Sequence, residues 1–186
     1  MGLGNPGPRF EGTRHNVGCA VVEEAAARLG VALRRPLFAR YRFARVTSGG
    51  GAPLMLAEPL TYMNRSGEVM PSLLRRAGVE AEASVVVCDN LDLPVGRVRM
   101  KSGGGTAGHR GLASVVNVLG HGSFLRLYIG IGRPVEGDVV AHVLGAPPEE
   151  EQELYAEAVS RAADAVLALR GEAPGQVMNE LNRRQG

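Results

Sequence analysis

The sequence predicts a three-layer α/β/α sandwich around a mixed, mostly parallel, twisted sheet, built as a single domain over residues 1–186. Short strand-like runs alternate with helical patterns, and one hairpin is inserted among them. No repeat, low-complexity block or interdomain linker interrupts this alternation. A chain of 186 residues is also long enough to bury a sizeable core within one domain.

The first part of the chain carries the pattern of one helix followed by a hairpin. Apolar residues recur on one face across 17–29, which predicts a helix that ends before Gly30. Residues 40–46 alternate between apolar and polar side chains, like a half-buried strand. The glycine-rich segment 48–53 then predicts a turn, after which residues 54–58 return as the second strand.

The middle of the chain continues the alternation of helices and strands. A helix is predicted at 67–77, and a strand is predicted at 84–88. The continuous run of β-branched residues in this strand suits burial on both faces of a central position in the sheet. Further strands are predicted at 97–100 and 127–131, with a helix near 112–119 between them.

The clearest helical pattern covers residues 147–171. Pro148 and a run of glutamates suit its start, Arg170 and Gly171 suit its end, and an apolar stripe lies between them. This helix is expected to serve packing. The tail that follows, residues 175–186, is expected to be loosely ordered or loosely docked.

Composition argues against several classes of protein. No apolar run reaches the length of about 18 residues that a membrane span needs, and no signal-peptide pattern precedes the first motif. We therefore expect a cytoplasmic protein, with a monomer as the default. Cys19 and Cys88 predict neither a disulfide framework nor a zinc site, and both are expected to be buried free thiols.

The formal net charge of +2 argues against a strongly basic nucleic-acid binder. The kind of basic residue is more informative, since the chain holds 20 arginines and one lysine. The planar guanidinium group matches the geometry of phosphate. A local patch of arginine could therefore bind RNA even though the net charge of the chain is small.

Three loop segments carry the residues best suited to chemistry. The first, GLGNPGPRFEGTRHNVG at 2–18, places His15 where a glycine-rich loop meets a helix, so its side chain is held rigidly yet stays accessible. The second is EPLTYMNRSG at 58–67, and the third is CDNLDLPVG at 88–96. Both start at strand ends, which is where α/β folds bind ligands.

Taken together, these three segments resemble the bacterial peptidyl-tRNA hydrolase family. The segments KSGGGTAGHRGLAS at 101–114 and RLYIGIGRP at 126–134 extend the resemblance, which keeps the family's order and approximate spacing as far as about His142. The resemblance implies an enzyme that hydrolyses the ester between a peptide, or an N-blocked amino acid, and the 3′ ribose of tRNA. It implies no cofactor. The expected partner is peptidyl-tRNA, contacted at its 3′ end and acceptor stem.

The residue types fit this reaction. Ester hydrolysis needs an activated water and a stabilised oxyanion, which histidine, carboxylate and asparagine side chains can supply. The resemblance assigns His15 as the general base and Asp89 as its partner. It assigns Asn5 and Asn64 to the peptide and water positions. Two simpler alternatives stay open, since Asp92 competes with Asp89 and Asn64 could cap the following helix.

The resemblance also assigns residues to the tRNA. Phe10 and Tyr62 match positions that touch its 3′ end, where an aromatic face suits stacking of an unpaired base. Asn64 is expected to take part in both the chemistry and substrate binding. Lys101 matches a phosphate contact, and His109 is expected to support the site or the tRNA end.

Two positions depart from the family. Arg110 stands where asparagine is common, and we expect it to contact the tRNA backbone or the substrate carbonyl. Tyr128 stands where a phosphate-binding arginine is common, while Arg126 lies two residues away on the same strand face. These departures affect the contacts to tRNA and leave the proposed chemistry unchanged.

Two alternative functions compete with hydrolysis. GLGNPG satisfies the dinucleotide fingerprint G-x-G-x-x-G, which needs a strand before it and a helix through it. Only Met1 precedes Gly2, so either the first strand is truncated to a stub or the chosen start codon is too late. The other alternative is a catalytically inactive, family-like RNA-binding protein, and retention of the four catalytic side chains argues against it. The histidines lack metal-ligand spacing such as H-E-x-x-H, so no metal site is predicted.

Overall fold

A computed structural model of the chain describes residues 1–48, 50–134 and 136–183. Gly49 in the predicted turn and residues 184–186 of the predicted tail lie outside the described residues.

Helices cover both faces of a sheet, which confirms the predicted α/β fold. The strands are β1 (Tyr41–Val46), β2 (Leu54–Pro59), β3 (Val85–Asn90), β4 (Val98–Ser102) and β5 (Leu125–Gly130). The α-helices are α1 (Val17–Arg28), α2 (Met70–Ala77), α3 (Arg110–Leu119), α4 (Val139–Leu144), α5 (Glu149–Ala168) and α6 (Pro174–Arg183).

The sheet is mixed. β3 pairs in parallel with β5, β4 pairs antiparallel with β5, and β1 and β2 form an antiparallel hairpin. The start of the chain joins these parts, because the Gly2 N–H donates to the Ala57 carbonyl (3.0 Å) and the Leu3 N–H donates to the Val87 carbonyl (2.9 Å). The parallel share is smaller than the sequence predicted, since both the hairpin and β4 pair antiparallel.

A close approach of backbones positions the first loop. Gly2 forms a single parallel bridge with Val87 of β3. A Cβ atom added at Gly2 would lie 2.1 Å from the Gly18 carbonyl oxygen, and one added at Gly18 would lie 2.4 Å from the Val87 carbonyl oxygen. Glycine at both positions therefore lets the chain start pass between α1 and β3. This passage brings the loop before α1 to the carboxyl end of β3.

The central strand β3 is buried on both faces, as its apolar sequence predicted. Val86 and Cys88 belong to the core cluster that includes α3 residues Leu112 and Val115. Val87 belongs to the opposite cluster, which α1, α5 and α6 share. Each fully buried apolar side chain of this size contributes about 1.5–3 kcal/mol to folding. The strand is therefore a rigid support for the polar residues at its end.

The C-terminal tail is a docked helix, α6, so the prediction of a loosely ordered tail is wrong over residues 175–183. Val177 and Leu181 of α6 are buried. Asn182 pairs with the backbone of Met100 in β4, accepting its N–H and donating to its carbonyl at 3.0 Å each. The helix is therefore held by burial of its apolar face and by hydrogen bonds to backbone groups at the edge of the sheet. Within the described ranges, no helix combines the length and apolar character that crossing a membrane requires.

The glycine-rich first loop does not form a dinucleotide site. A 3₁₀ turn occupies Pro8–Phe10, and α1 begins only at Val17. The helix that the fingerprint needs therefore starts after the glycines instead of running through them.

Candidate active site

His15 lies in a short 3₁₀ turn, Arg14–Asn16, directly before α1. The turn is tied down, because the Thr13 hydroxyl donates to the Phe10 carbonyl (2.7 Å) and Arg14 pairs with Glu151 of α5 (3.0 Å). The His15 ring reaches the end of β3, where its Nδ1 lies 2.7 Å from Asp89 Oδ1. The predicted histidine and carboxylate are therefore in direct contact.

Asp89 is 3% exposed and accepts a second hydrogen bond at the same oxygen, from His109 Nε2 at 3.0 Å. Burial alone would raise the pKa of Asp89. The hydrogen bonds that His109 and His15 make to the carboxylate outweigh burial and lower the pKa of Asp89 to about 2. Asp89 is therefore a carboxylate at neutral pH, held between two imidazole rings.

The start of α3 sets the tautomer of His109. His109 is the N-cap residue of α3, and its Nδ1 accepts the backbone N–H groups of Gly111 and Leu112 at 3.1 Å each. Because Nδ1 accepts, the ring proton lies on Nε2, which donates to Asp89. The α3 helix begins at Arg110, two residues before the predicted start, and this shift makes His109 the cap.

His15 has the complementary arrangement. Its Nδ1 faces the ionised Asp89, so Nδ1 carries the proton and donates it to the carboxylate. Its Nε2 is then the nitrogen with a free lone pair. The ring lines a cleft of about 590 Å³. His15 thus has the tautomer that a general base requires.

The three groups are close enough to raise the question of a metal ion, since their ligand atoms lie within 4.8 Å of one another. A metal would need the lone pair of His109 Nε2, and that nitrogen carries the ring proton while Nδ1 caps α3. Moving the proton to Nδ1 would set it against two N–H donors. The donor set is therefore a poor fit for a metal ion and a good fit for a hydrogen-bonded triad.

Asn5 is held by backbone and side-chain contacts on three sides. Its backbone N–H donates to Asn16 Oδ1 (2.8 Å), and its carbonyl accepts from Asn16 Nδ2 (2.9 Å). Its own Oδ1 accepts the Met63 N–H at 2.8 Å. These bonds leave the Asn5 amide nitrogen as a donor for the cleft. The role of Asn16 was not predicted from the sequence, although its position directly after His15 was a signal.

The cleft gathers most of the predicted site residues. Its lining includes Asn5, Phe10, His15, Tyr62, Asn64, Asp89, His109 and Arg110. Phe10 and Tyr62 meet edge to face, with ring centroids 6.4 Å apart, and Tyr62 is 60% exposed. Lys101 is not part of this lining. It lies exposed on β4, with its side chain beside Gly104.

The structure separates the two competing carboxylates. Asp92 is exposed and pairs with Arg133, whose Nη2 lies 2.7 Å from Asp92 Oδ1. Asp89, and not Asp92, contacts His15. The alternative in which Asp92 partners the histidine is therefore wrong.

One wall of the cleft was not predicted. Four apolar residues of the short helix α4 line it: Val139, Val140, Val143 and Leu144. His142 anchors this helix, with its Nε2 at 3.1 Å from the carbonyl oxygens of both Ile131 and Gly132. The α4 helix has only six residues, and a sequence pattern of that length cannot be distinguished from a loop.

The arginine near Tyr128 is not available at the surface. Arg126 is fully buried, its Nη1 donates to the Gly105 carbonyl, and its guanidinium lies 4.9 Å from the centroid of the Phe124 ring. Tyr128 itself lines the cleft. Arg126 therefore supports, from the protein interior, the glycine-rich segment that contains Gly105. It does not take the place of an exposed phosphate-binding arginine.

Comparison with known proteins agrees with the geometry. A family model described as "Peptidyl-tRNA hydrolase" matches residues 1–186. The chain belongs to the peptidyl-tRNA hydrolase family. A peptidyl-tRNA hydrolase from Rubrobacter xylanophilus is 46% identical over 185 residues, which cover 99% of each protein. Another from Geobacillus thermodenitrificans is 43% identical over 183 residues, covering 98% of this chain and 97% of the relative.

A solved structure from the peptidyl-tRNA hydrolase family has the same fold. The crystal structure of the enzyme from Acinetobacter baumannii superposes with a TM-score of 0.89 at 37% identity, covering 97% of this chain and 92% of that one. The sequence resemblance and the predicted fold class are both confirmed.

Proposed function

We propose that this member of the peptidyl-tRNA hydrolase family cleaves the ester of peptidyl-tRNA with His15 as the general base. One observation carries the assignment of roles. A single oxygen of the buried Asp89 binds both His15 and His109, and His15 Nε2 has no hydrogen-bond partner among the described residues and faces the cleft lining. His109 cannot serve as the base in the same way, because both of its nitrogens are engaged.

The reaction then proceeds by direct attack of water. His15 Nε2 accepts a proton as the water oxygen attacks the ester carbonyl carbon, and the ionised Asp89 stabilises the imidazolium. The tetrahedral intermediate collapses by breaking the bond to the ribose 3′ oxygen, which takes the proton from His15. The products are tRNA with a free 3′ hydroxyl and a peptide carboxylic acid, which releases its proton to solvent to become the carboxylate.

Two asparagines are assigned to assist this step. The Met63 N–H holds the Asn5 side-chain oxygen, and the Asn5 amide nitrogen, which has no partner within the described residues, is assigned to donate to the developing oxyanion. Asn64 is exposed on the same cleft and is assigned to the water. Removing one such donor typically costs about 10²–10³ in kcat.

The remaining predicted residues are assigned to the tRNA. Tyr62 and Phe10 offer a T-shaped aromatic surface on which the unpaired 3′ end can stack. Arg110 and Lys101 are exposed cations suited to phosphate. Since Lys101 lies outside the cleft, it is assigned to a phosphate farther from the scissile ester.

We assign the protein to the cytoplasm as a monomer, and size-exclusion chromatography tests its oligomeric state.

The test is release of free tRNA from N-acetylated aminoacyl-tRNA. Turnover by the purified protein without added metal or cofactor supports the proposal. Binding of the substrate without its hydrolysis would instead identify an inactive RNA-binding protein.

A further inference from the structure

A rigid turn, residues 34–40, projects beside β1. Its base is closed by two backbone bonds, since the Arg34 N–H donates to the Phe43 carbonyl (2.9 Å) and the Phe43 N–H donates to the Arg34 carbonyl (3.0 Å). Its tip is closed by the Ala39 N–H, which donates to the Pro36 carbonyl at 3.1 Å. The turn therefore holds a defined shape.

The tip of this turn presents two large apolar side chains to solvent. Leu37 is 83% exposed and Phe38 is 90% exposed. Phe38 also has a φ of 61°, in the left-handed region that bulky L side chains adopt only with strain. Neither burial nor backbone geometry favours phenylalanine here. A contact between the Phe38 ring and another molecule explains an aromatic side chain at this position.

The turn lies in the most basic part of the sequence. Residues 25–57 contain six arginines and no aspartate or glutamate, although the whole chain has a net charge of only +2. Arg34, Arg35 and Arg40 of the turn are all exposed. Among the described residues, only the last of these forms an ion pair, with Glu68 at 2.6 Å. Arginine beside an exposed aromatic ring suits RNA, through phosphate pairing and base stacking.

The turn is also continuous with the cleft. The Arg40 carbonyl accepts the N–H of Leu60 at 2.7 Å, two residues before Tyr62 of the cleft wall. Glu68, which pairs with Arg40, belongs to the same 3₁₀ segment as Asn64. A long RNA whose 3′ end occupies the cleft therefore has a basic surface directly beside that wall.

We propose that the turn 34–40 is a second RNA-binding surface, which contacts the tRNA of the substrate outside the cleft. Arg34 and Arg35 bind backbone phosphates, and Phe38 stacks on a base or packs on a ribose. This inference rests on the proposed function, because it takes the tRNA part of the substrate as the occupant.

The sharpest variant is Phe38→Asn, because asparagine tolerates the left-handed conformation. If the ring serves RNA, this change raises the midpoint of thermal unfolding and weakens binding of deacylated tRNA by about fivefold or more. Phe38→Tyr keeps the ring and should keep the affinity. A residue that serves only the fold would instead lose stability in Phe38→Asn and leave the Kd for tRNA unchanged, which would overturn the proposal.

Charge is tested with a control at an arginine outside the turn. Replacing both Arg34 and Arg35 by alanine should flatten the log–log salt dependence of tRNA binding by about 0.7–0.9 for each phosphate that the variant no longer binds. Arg45→Ala removes one positive charge from the same basic segment, at the far end of β1, and should leave the slope close to wild type. Equal slopes for the double variant and the wild type would overturn the proposal.

Substrate length separates this surface from the cleft. The turn variants should raise KM for full-length N-acetylaminoacyl-tRNA and leave KM unchanged for the same ester on a CCA trinucleotide. Weakened binding to anionic vesicles or to an acidic protein, with tRNA affinity unchanged, would assign the turn to another partner and overturn the inference. Failure of the wild-type protein to hydrolyse either substrate would instead contradict the proposed function.

Discussion

His109 donates to Asp89 through a 3.0 Å hydrogen bond whose polarity is set by the first turn of α3. The same imidazole caps the helix with Nδ1 and binds the carboxylate with Nε2. The helix start therefore fixes the proton on the ring and, through Asp89, influences how strongly His15 is held. This arrangement gives His109 a positioning role that can be separated from substrate binding.

His109→Asn and His109→Ala distinguish the two interactions of this ring. Asparagine is a good N-cap but is shorter than histidine, so it keeps the helix cap and loses the bond to Asp89. Alanine loses both. We expect only His109→Ala to lose about 0.5–2 kcal/mol of the free energy of unfolding that the cap supplies. Denaturant unfolding of the two variants measures this difference.

The loss of the Asp89 bond should be common to both His109 variants. With one donor removed, the carboxylate is held less firmly in the orientation that positions the His15 ring. We therefore expect kcat to fall in both variants while KM stays close to wild type. A wild-type kcat in both variants would show that His109 acts only as a cap.

Asp89→Asn should affect both turnover and acid stability. The neutral amide still accepts hydrogen bonds but no longer stabilises the imidazolium, so kcat should fall by about tenfold or more. The folded-state pKa of Asp89 lies at about 2, below its ordinary value of 3.8. Its ionised form therefore stabilises the fold above pH 3.8, and that contribution disappears as the pH falls towards 2.

The acid dependence can be measured directly. The depressed pKa of the buried Asp89 corresponds to about 2 kcal/mol of the free energy of unfolding. The wild type should lose this amount between about pH 4 and pH 2, and Asp89→Asn should lack that part of the decrease. Parallel unfolding curves for the two proteins over this range would contradict the assigned hydrogen bonds.

Arg110 tests the departure from the family. It is exposed on the cleft and forms no hydrogen bond or ion pair within the part of the chain that the structure describes. A guanidinium only donates, so it suits a phosphate or a carbonyl and cannot accept from the catalytic water. We expect Arg110→Ala to raise KM clearly, and Arg110→Asn to keep substantial activity with a weaker salt dependence. Unchanged KM and kcat in Arg110→Ala would remove Arg110 from the site.

Much of the site could be predicted because its residues follow strand ends and a loop–helix junction. Such positions converge at one edge of the sheet whatever the intervening loops do, so His15 and Asp89 meet as expected. The role of His109 could not be predicted in the same way. It depends on where α3 begins, and a shift of two residues turns a loop histidine into a helix cap.

The remaining differences arise from tertiary interactions that local patterns do not contain. The α6 helix is stabilised by the hydrogen bond of Asn182 to the edge strand β4 and by burial of Val177 and Leu181. The polar composition of the tail does not predict these contacts. The sequence did not predict a partner for Arg126. In the fold this side chain is buried and donates to the Gly105 carbonyl. Intrinsic propensity is a weak guide where packing decides the outcome.

The central claim is that His15 Nε2 takes the proton of the attacking water. The most direct measurement is the single-turnover rate of tRNA release from N-acetylaminoacyl-tRNA by His15→Ala, alongside its Kd for deacylated tRNA. We predict a loss of rate on the order of 10²–10⁴, with wild-type affinity and thermal stability. A well-folded His15→Ala protein that releases tRNA at close to the wild-type rate would contradict the mechanism.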